Sequence, residues 1–182
     1  MKNNDYQLSK QELREIKANR ENFHSLPKHP IICVLDNLSN AYNIGVIIRL
    51  CEAFKIEKLY VCNKTRNLLL SKKVKKTALG TQKWLDIEHT TDTKKIINDL
   101  RNDGYTIIAV ELTKKARQYN CIPLNAKVAY VFGNENYGLS QEVINCCDMA
   151  AFIPMYGMGN SLNVSTAAGI IIADAVLRLN CI

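Results

Sequence analysis

The stretch that decides the fold is Ile153-Pro-Met-Tyr-Gly-Met-Gly-Asn-Ser-Leu-Asn163, which joins a short apolar segment to a long one. Residues 150–153 are predicted to form a short strand, and residues 163–179 are predicted to form a long helix. A glycine-rich loop that leads from a strand into a helix presents free N–H groups and the positive end of the helix dipole. This stretch therefore predicts a ligand-binding loop in an α/β fold.

The glycines of this loop do not match either common nucleotide-binding pattern. Gly157 and Gly159 are followed by Leu162 where a dinucleotide fingerprint has its third glycine, and the loop comes near the end of the chain rather than after the first strand. No lysine follows, as it would in a phosphate-binding P-loop. These differences argue against a nucleotide-dependent oxidoreductase.

Outward from this loop, apolar runs alternate with helix-like patterns along the chain. The predicted strands are residues 31–35, 59–62, 84–87, 105–112, 128–132 and 150–153, and the predicted helices are residues 44–54, 93–102 and 163–179. This alternation predicts a mostly parallel α/β sheet with helices on both faces. Ligands bind beyond the carboxyl ends of such strands, so we expect a site formed by the loops at residues 36–43, 133–140 and 154–163.

Residues 1–28 are predicted to be a short, polar and basic helical extension of a domain formed by residues 29–182. Three basic side chains would share one face of a helix over residues 9–22: Arg14, Lys17 and Arg20. The beginning of the chain lacks the apolar segment of a secretory signal. No apolar run approaches the ~20 residues that cross a bilayer, so we expect no membrane association and a cytoplasmic protein.

The chain has a formal net charge of +7, with 24 Lys and Arg against 17 Asp and Glu, which favours a polyanionic partner. Two further basic clusters consist of Lys72, Lys73, Lys75 and Lys76, and of Lys114, Lys115 and Arg117. Any one cluster is compatible with an ordinary solvated surface. Three of them in one basic chain favour a nucleic-acid partner.

The cysteines and histidines form no pattern typical of a metal site. Seven cysteines are present without a C-x-x-C pair, most of them in apolar runs, and the three histidines are scattered. Metal sites need ligands at defined spacings. We therefore expect buried, reduced thiols and no metal.

The other two loops carry polar residues whose roles remain open from the residues alone. Arg49 lies inside the otherwise apolar stretch 44–54, and it could reach the surface, form a structural salt bridge or serve a site. Asn43 is one candidate to cap the helix that carries Arg49. Glu135 lies between Gly133 and Gly138, in a sequence that an ordinary turn would also contain.

Together, the three loops resemble the three motifs of the SPOUT superfamily, and within it those of the TrmH-type (SpoU) RNA ribose methyltransferases. The motifs are Asn43-Ile-Gly-Val-Ile-Ile-Arg49, Phe132-Gly-Asn-Glu-Asn-Tyr-Gly-Leu-Ser140 and Ile153-Pro-Met-Tyr-Gly-Met-Gly-Asn-Ser-Leu-Asn-Val-Ser165. The resemblance covers residues 30–180. It implies a sheet whose C-terminal segment is threaded as a trefoil knot, which ordinary connection rules would exclude, and a homodimer with active sites at the subunit interface.

The resemblance also implies roles for individual residues. Arg49 would be the catalytic residue, Asn43 would shape its surroundings and Glu135 would organise the site. Ser161 and Asn163 would orient the reacting groups, although both could equally cap the last helix. S-adenosylmethionine would be held, largely by backbone groups, at Gly133, Asn134, Ile153, Pro154, Met155, Ser161, Leu162 and Asn163.

The implied reaction is methyl transfer from S-adenosylmethionine to a ribose 2′-hydroxyl, with tRNA favoured over ribosomal RNA because a short basic helix stands in place of a second N-terminal domain. A sulfonium methyl group is already activated, so the reaction needs positioning rather than a metal. The hydroxyl proton is accepted by Arg49, or by another group while Arg49 binds a phosphate. A ribosomal-RNA 2′-O-methyltransferase and a non-catalytic RNA-binding protein are the alternatives, and the arginine-bearing first motif disfavours base methylation.

Overall fold

A seven-stranded sheet forms the centre of the computed structural model, which describes residues 6–16, 21, 23–64 and 68–179. The strands are β1 His29–Asp36, β2 Ile56–Cys62, β3 Ile87–Thr90, β4 Thr106–Val110, β5 Arg117–Gln118, β6 Val128–Phe132 and β7 Met149–Phe152. The helices are α1 Lys10–Glu15, α2 Ala41–Ala53, α3 Lys72–Ala78, α4 Thr93–Asn102, α5 Gln141–Asn145 and α6 Val164–Leu179. All the strand pairings are parallel, which confirms the predicted α/β sheet.

The sequence of β1 shows why helices cover both faces of this sheet. Ile31, Cys33 and Leu35 point to one face, where they join a core formed with α2, α3 and α6. Ile32 and Val34 point to the other face and pack with α4 and α5. A strand buried on both faces reads as a continuous apolar run rather than an alternating one. The predicted two-sided coverage is therefore confirmed.

The order of the strands places the carboxyl ends of β1, β6, β4 and β7 side by side. The order is β3-β2-β1-β6-β4-β7-β5, so β6 lies between β1 and β4, and β7 lies between β4 and β5. The sheet extends one way from β1 through β2 and β3, and the other way through β6. Such a change of direction opens a crevice at the carboxyl ends of parallel strands.

The peripheral elements differ from the sequence predictions. The strand predicted at residues 84–87 is wrong for most of its length, because Trp84 ends a 3₁₀ turn over Thr81–Lys83 and β3 begins only at Ile87. The short elements α3, α5 and β5 had no prediction. Elements this short have too few residues to establish a hydrophobic period.

The N-terminal helix is shorter than residues 9–22. Ser9 and Glu12 form a capping box, in which the backbone N–H of each residue donates to the side chain of the other, and Ile16 ends α1 after Glu15. No residue of α1 is buried, so packing adds nothing to a helix that is too short to be stable alone. Lys17 and Arg20, predicted to share its basic face, lie outside the described residues.

The thiols were correctly predicted as buried for Cys33, Cys51 and Cys62, whereas Cys121 is exposed. Burial raises the pKa of the Cys51 thiol well above its ordinary value, because an apolar environment disfavours the thiolate. In the part of the chain that the structure describes, no cluster of three His, Cys, Asp or Glu side chains could hold a metal ion. Within the same residues, no helix is long and apolar enough to cross a membrane.

Candidate active site

A cavity of about 1070 Å³ opens at the carboxyl-terminal edge of the sheet. One wall is the segment after β6, residues 133–140, which we call the β6 loop. The opposite wall is the segment after β7, residues 153–163, which we call the β7 loop. The end of β4 contributes Glu111. The volume is at the upper end of the roughly 300–1,000 Å³ found for small-molecule sites.

Seven of the eight residues predicted to bind a cofactor line this cavity: Gly133, Asn134, Ile153, Met155, Ser161, Leu162 and Asn163. Pro154 does not belong to the lining. Of the predicted catalytic residues, Glu135, Ser161 and Asn163 also line the cavity, whereas Asn43 and Arg49 do not. The two loops thus bring most, but not all, of the predicted site together.

The β6 loop folds back on itself so tightly that it requires glycine. The backbone N–H of Asn134 donates to the carbonyl of Gly138 at 3.1 Å, and that of Gly138 donates to the carbonyl of Asn134 at 2.8 Å. A Cβ atom on Gly133 would lie 2.4 Å from the carbonyl carbon of Gly138. Gly138 has φ +64°, a conformation that glycine adopts without strain.

Glu135 joins the β6 loop to the segment between β1 and α2. Its carboxylate accepts hydrogen bonds from the backbone N–H and hydroxyl of Ser39, the backbone N–H of Asn40 and the side-chain amide of Asn43, each at 3.0 Å. Partial burial raises the pKa of Glu135, but these hydrogen bonds outweigh it, so that the pKa lies below its ordinary value. Glu135 is therefore an ionised anchor at neutral pH.

Asn43 carries this network onward to α6. It is buried inside α2 rather than at its start, so its prediction as the helix cap is wrong: the side chain of Asn40 accepts from the N–H of Tyr42 at 2.9 Å and caps α2 instead. The side-chain amide of Asn43 donates to Glu135, and its side-chain oxygen accepts from the amide of Asn163 at 3.1 Å. The chain of bonds thereby links all three sequence motifs.

Asn163 acts at the same time as the cap of α6. Its side-chain oxygen accepts from the backbone N–H of Ser165 at 2.9 Å and from the hydroxyl of Ser165 at 2.7 Å, which confirms the capping alternative for this residue. Ser161 makes no hydrogen bond within the described chain and is exposed at the cavity wall, so capping by Ser161 is wrong.

Arg49 stands apart from this network. Its side chain is exposed in the second half of α2, and it forms no ion pair or hydrogen bond with the residues that the structure describes. The structural salt bridge is therefore wrong for this part of the chain, and a position at the surface is confirmed. Six residues after Asn43, Arg49 lies ~9 Å further along the helix and on another side of it, which explains its absence from the cavity of its own chain.

Glu111 is a cavity residue that the sequence analysis missed. One carboxylate oxygen accepts from the N–H of Leu112 at 3.0 Å, and the other accepts from the N–H of Leu139 in the β6 loop at 3.1 Å. Glu111 thus ties the β6 loop to the end of β4. The available signal is a carboxylate at the carboxyl end of an apolar strand, but the strand predicted over residues 105–112 includes Glu111 and so does not mark it as a loop residue.

Comparison with known proteins agrees with this fold. The model of the SpoU rRNA Methylase family matches residues 30–173. A tRNA (guanosine(18)-2′-O)-methyltransferase of Borreliella burgdorferi is 32% identical over 172 residues, which cover 94% of this chain and 78% of that protein. The crystal structure of the Aquifex aeolicus TrmH/SpoU tRNA modifying enzyme has a TM-score of 0.79 and 29% identity, over 88% of this chain and 82% of that one.

An AdoMet-bound rRNA methyltransferase from Sinorhizobium meliloti shares the fold at lower identity. Its TM-score is 0.77 at 24% identity, over 86% of this chain and 60% of that chain. At this identity the likeness extends to the fold alone.

Proposed function

Because the chain belongs to the SpoU rRNA Methylase family, and so to the RNA methyltransferases, we propose that it transfers a methyl group from S-adenosylmethionine to a ribose 2′-hydroxyl of tRNA. The observation that carries this proposal is the cavity between the β6 and β7 loops, whose residues are joined to α2 and α6 by the network through Glu135, Asn43 and Asn163. tRNA is favoured over ribosomal RNA because the 32% identical relative from Borreliella is a tRNA methyltransferase by name.

The size and the charge of the cavity suit S-adenosylmethionine. Its walls present loop backbone, and the approach of Gly133 to Gly138 leaves no room for side-chain atoms between them. Among the described residues, the charged side chains in its lining are the carboxylates Glu111 and Glu135, which suit a ligand with a positive sulfonium. Gly133, Met155 and Leu162 would contact it largely through backbone groups. When bound, the cofactor supplies an activated methyl group.

The remaining site residues would position the RNA. Glu135 is a poor proton acceptor, because its pKa is lowered and its oxygens already accept four hydrogen bonds. A guanidinium offers hydrogen-bond donors and no acceptor, so we assign Arg49 to binding a substrate phosphate and donating to the ribose oxygen. Asn43 and Asn163 hold α2 and the β7 loop in register. Ser161, exposed and unbonded within the described chain, is available to the reacting groups.

Arg49 lies outside the cavity of its own chain, and a homodimer would resolve this separation. The exposed side of α2 carries Tyr42 and Val46 beside Arg49, and α6 exposes Leu177 at 66%. We propose that a second copy covers these apolar side chains and that Arg49 serves the cavity of the partner. Each site would then combine the cavity of one chain with Arg49 of the other, as a two-fold interface permits.

We further propose that residues 29–182 form the catalytic domain, with residues 1–28 as its extension, and that the protein acts in the cytoplasm. The C-terminal segment is proposed to be threaded as a trefoil knot. The insertion of β6 and β7 between strands that precede them in sequence supports this proposal, since the late segment must enter between elements already connected.

Methyl transfer into defined RNA pools tests the reaction. Labelled S-adenosylmethionine is incubated with the protein and either unmodified tRNA or ribosomal RNA, and the nucleosides are analysed. We expect label in a 2′-O-methylated nucleoside from tRNA. Label only from ribosomal RNA would select that alternative, and cofactor binding without label in either pool would contradict the assignment of both substrates. An absence of both label and cofactor binding would favour the non-catalytic RNA-binding alternative.

Arg49 variants test the shared site. Arg49→Ala and Arg49→Lys are expected to bind cofactor normally and to lose transfer, because neither side chain retains the planar donor fork. Arg49→Ala and Asn163→Ala chains are unfolded together and refolded, and transfer is measured at a cofactor concentration close to the wild-type Kd, where Asn163→Ala sites are largely empty. The mixture should then recover about a quarter of the wild-type activity at that concentration, since half of the dimers are mixed and one of their two sites is intact. No recovery in mixed dimers would place Arg49 and the cavity in one chain.

A further inference from the structure

We propose that α3 is an RNA-binding surface that holds the substrate backbone beside Arg49. The surface, which we call the α3 lysine face, consists of Lys72, Lys73, Lys75 and Lys76. The inference rests on the proposed function, because it extends the binding of RNA from Arg49 to the neighbouring helix. It adds a contact region outside the cavity and outside all three sequence motifs.

The charge of α3 is unbalanced within the helix and around it. Four of its seven residues are lysines and none is acidic. The four side chains are exposed, and none forms an ion pair with the residues described in the structure. In contrast, Lys94 and Lys95 of α4 pair with Glu142 and Asp99 at 2.8 and 2.7 Å. Within the described residues, no carboxylate therefore neutralises the lysines of α3, and their charges are available to a partner.

The packing of α3 directs its lysines outward. Val74 and Ala78 are buried on the side that faces the core. Against α2, the approach is so close that a Cβ atom on Gly45 would lie 1.8 Å from the hydroxyl of Thr77 and 2.8 Å from the carbonyl of Val74. Lys73 lies at the border between the two helices, with its ammonium 5.8 Å from the centre of the Tyr42 ring.

The packing of Gly45 against α3 also determines where the α3 lysine face lies relative to Arg49. Residues four apart in a helix lie on the same side, ~6 Å from one another along the axis. Arg49 follows Gly45 by four residues, so it lies on the side of α2 that borders α3. An RNA strand with a phosphate at Arg49 would therefore pass next to the α3 lysine face, where further phosphates could be bound.

RNA is the occupant that this chemistry favours. Lysine ammonium groups bind phosphates as point charges without reading a base sequence. The chain carries a net charge of +7, and each phosphate that it neutralises releases counterions, which makes binding steeply dependent on salt. The α3 lysine face would hence contribute affinity and register rather than choice of nucleotide.

The test compares two double variants that remove the same charge from opposite faces of the sheet. Lys72→Gln/Lys76→Gln changes the α3 lysine face, and Lys94→Gln/Lys95→Gln changes α4, which packs on the other face. Binding of an unmodified tRNA transcript is measured across a salt series. We expect the α3 variant to lower the slope of log K against log salt by about 1 for each lost phosphate contact, and the α4 variant to keep the wild-type slope.

Kinetics add a second readout. The α3 variant should raise the KM for tRNA about tenfold at low salt, while its affinity for S-adenosylhomocysteine stays at the wild-type value. Equal slopes in the two variants, or an unchanged slope in the α3 variant, would overturn the proposal. A wild-type protein that binds tRNA without methylating it would instead contradict the proposed function, and the slope comparison would still decide the role of α3.

Discussion

The two loops that wall the cavity differ in how firmly the protein holds them. The β6 loop is closed by two backbone hydrogen bonds of its own. Asn134 and Glu135 tie it to the segment between β1 and α2, Glu135 also ties it to α2, and Leu139 ties it to the end of β4. The β7 loop makes no hydrogen bond over residues 154–162 to any part of the chain that the structure describes. Its side chains Tyr156 and Met158 are 94% and 101% exposed.

This difference separates two tasks at one site. The β6 loop is organised before a ligand arrives, so binding requires little ordering there. The β7 loop keeps its conformational freedom, and a ligand that orders it must overcome the corresponding entropy. We expect the first loop to set the shape of the site and the second to respond to occupancy.

The largest expected effect comes from adding one methyl group to the firmly held loop. Gly133→Ala places a Cβ atom against the backbone at Gly138 and Leu139, and we expect it to lower the free energy of unfolding by about 3 kcal/mol, at the high end for overpacking. Urea denaturation measures this change. Gly157→Ala is the matched control in the β7 loop, where a Cβ atom meets nothing within 4 Å.

For that control, we expect the free energy of unfolding to stay the same or to rise by up to about 1 kcal/mol, because alanine restricts the unfolded chain. Similar losses in both variants would mean that the two loops are held to the same degree, against the contrast drawn from the hydrogen bonds.

The second effect is electrostatic. Glu135→Gln removes the charge that accepts four hydrogen bonds, and we expect a loss of about 2 kcal/mol in the free energy of unfolding at pH 7. Because the folded pKa of Glu135 is lowered, its stabilisation is present above the unfolded pKa and is lost as the pH falls through the folded value. The difference between wild type and variant should therefore shrink below pH 4.5, the ordinary value. A difference independent of pH would contradict the anchoring role.

The third effect lies at the end of the β7 loop. Asn163→Ala removes the cap of α6 and the hydrogen bond to Asn43, and we expect a loss of about 1 kcal/mol in the free energy of unfolding. Because the β7 loop ends at this residue, affinity for S-adenosylhomocysteine should also fall about tenfold, or 1.4 kcal/mol, as calorimetry would show. Ser165→Ala, which removes only the hydroxyl bonded to Asn163, is the control and should keep most of that affinity.

The last prediction needs no substitution, because it concerns a difference in dynamics between the two loops of the wild-type protein. Amide hydrogen exchange should be fast across residues 155–162 and slow at Gly138 and Leu139 in the free protein, since only the latter N–H groups are hydrogen-bonded. Saturation with S-adenosylhomocysteine should slow exchange in the β7 loop alone. Slow exchange at both loops before ligand is added would show that the β7 loop is held by contacts absent from the hydrogen-bond pattern.

The central part of the fold was predictable because its strands are buried on both faces. Residues 31–35 and 128–132 are continuous apolar runs, as such strands require, and the structure has β1 and β6 there. The prediction failed around Trp84, where a single apolar aromatic residue suggested a strand but packs in a 3₁₀ turn against Phe23 and His24. That packing partner is ~60 residues away in sequence, and no local period reveals it.

The site was predictable as a set of loops but not as a set of contacts. The strand-end rule led to the end of the sheet where the cavity opens, and the motif spacing singled out Glu135 and Asn163. Whether Asn43 caps a helix or bridges two loops depends on Glu135 and Asn163, which lie 92 and 120 residues away in the sequence. The exposure of Arg49 likewise depended on which side of α2 the sheet covers, and the residues alone left three alternatives.

The position of β6 and β7 between strands that precede them in sequence affects how the chain folds during its synthesis. A ribosome releases β1 and β4 before β6, which separates them in the sheet, and it releases β4 and β5 before β7, which separates those two. Domains fold as their residues emerge. Until about residue 150 has appeared, the nascent chain presents unpaired strand edges of the kind that promote aggregation. Pairing over such sequence distances is intrinsically slow. Synthesis that stops before β6 would therefore leave a chain without its central strand, and such a fragment should be a substrate for chaperones and proteases rather than a smaller folded domain.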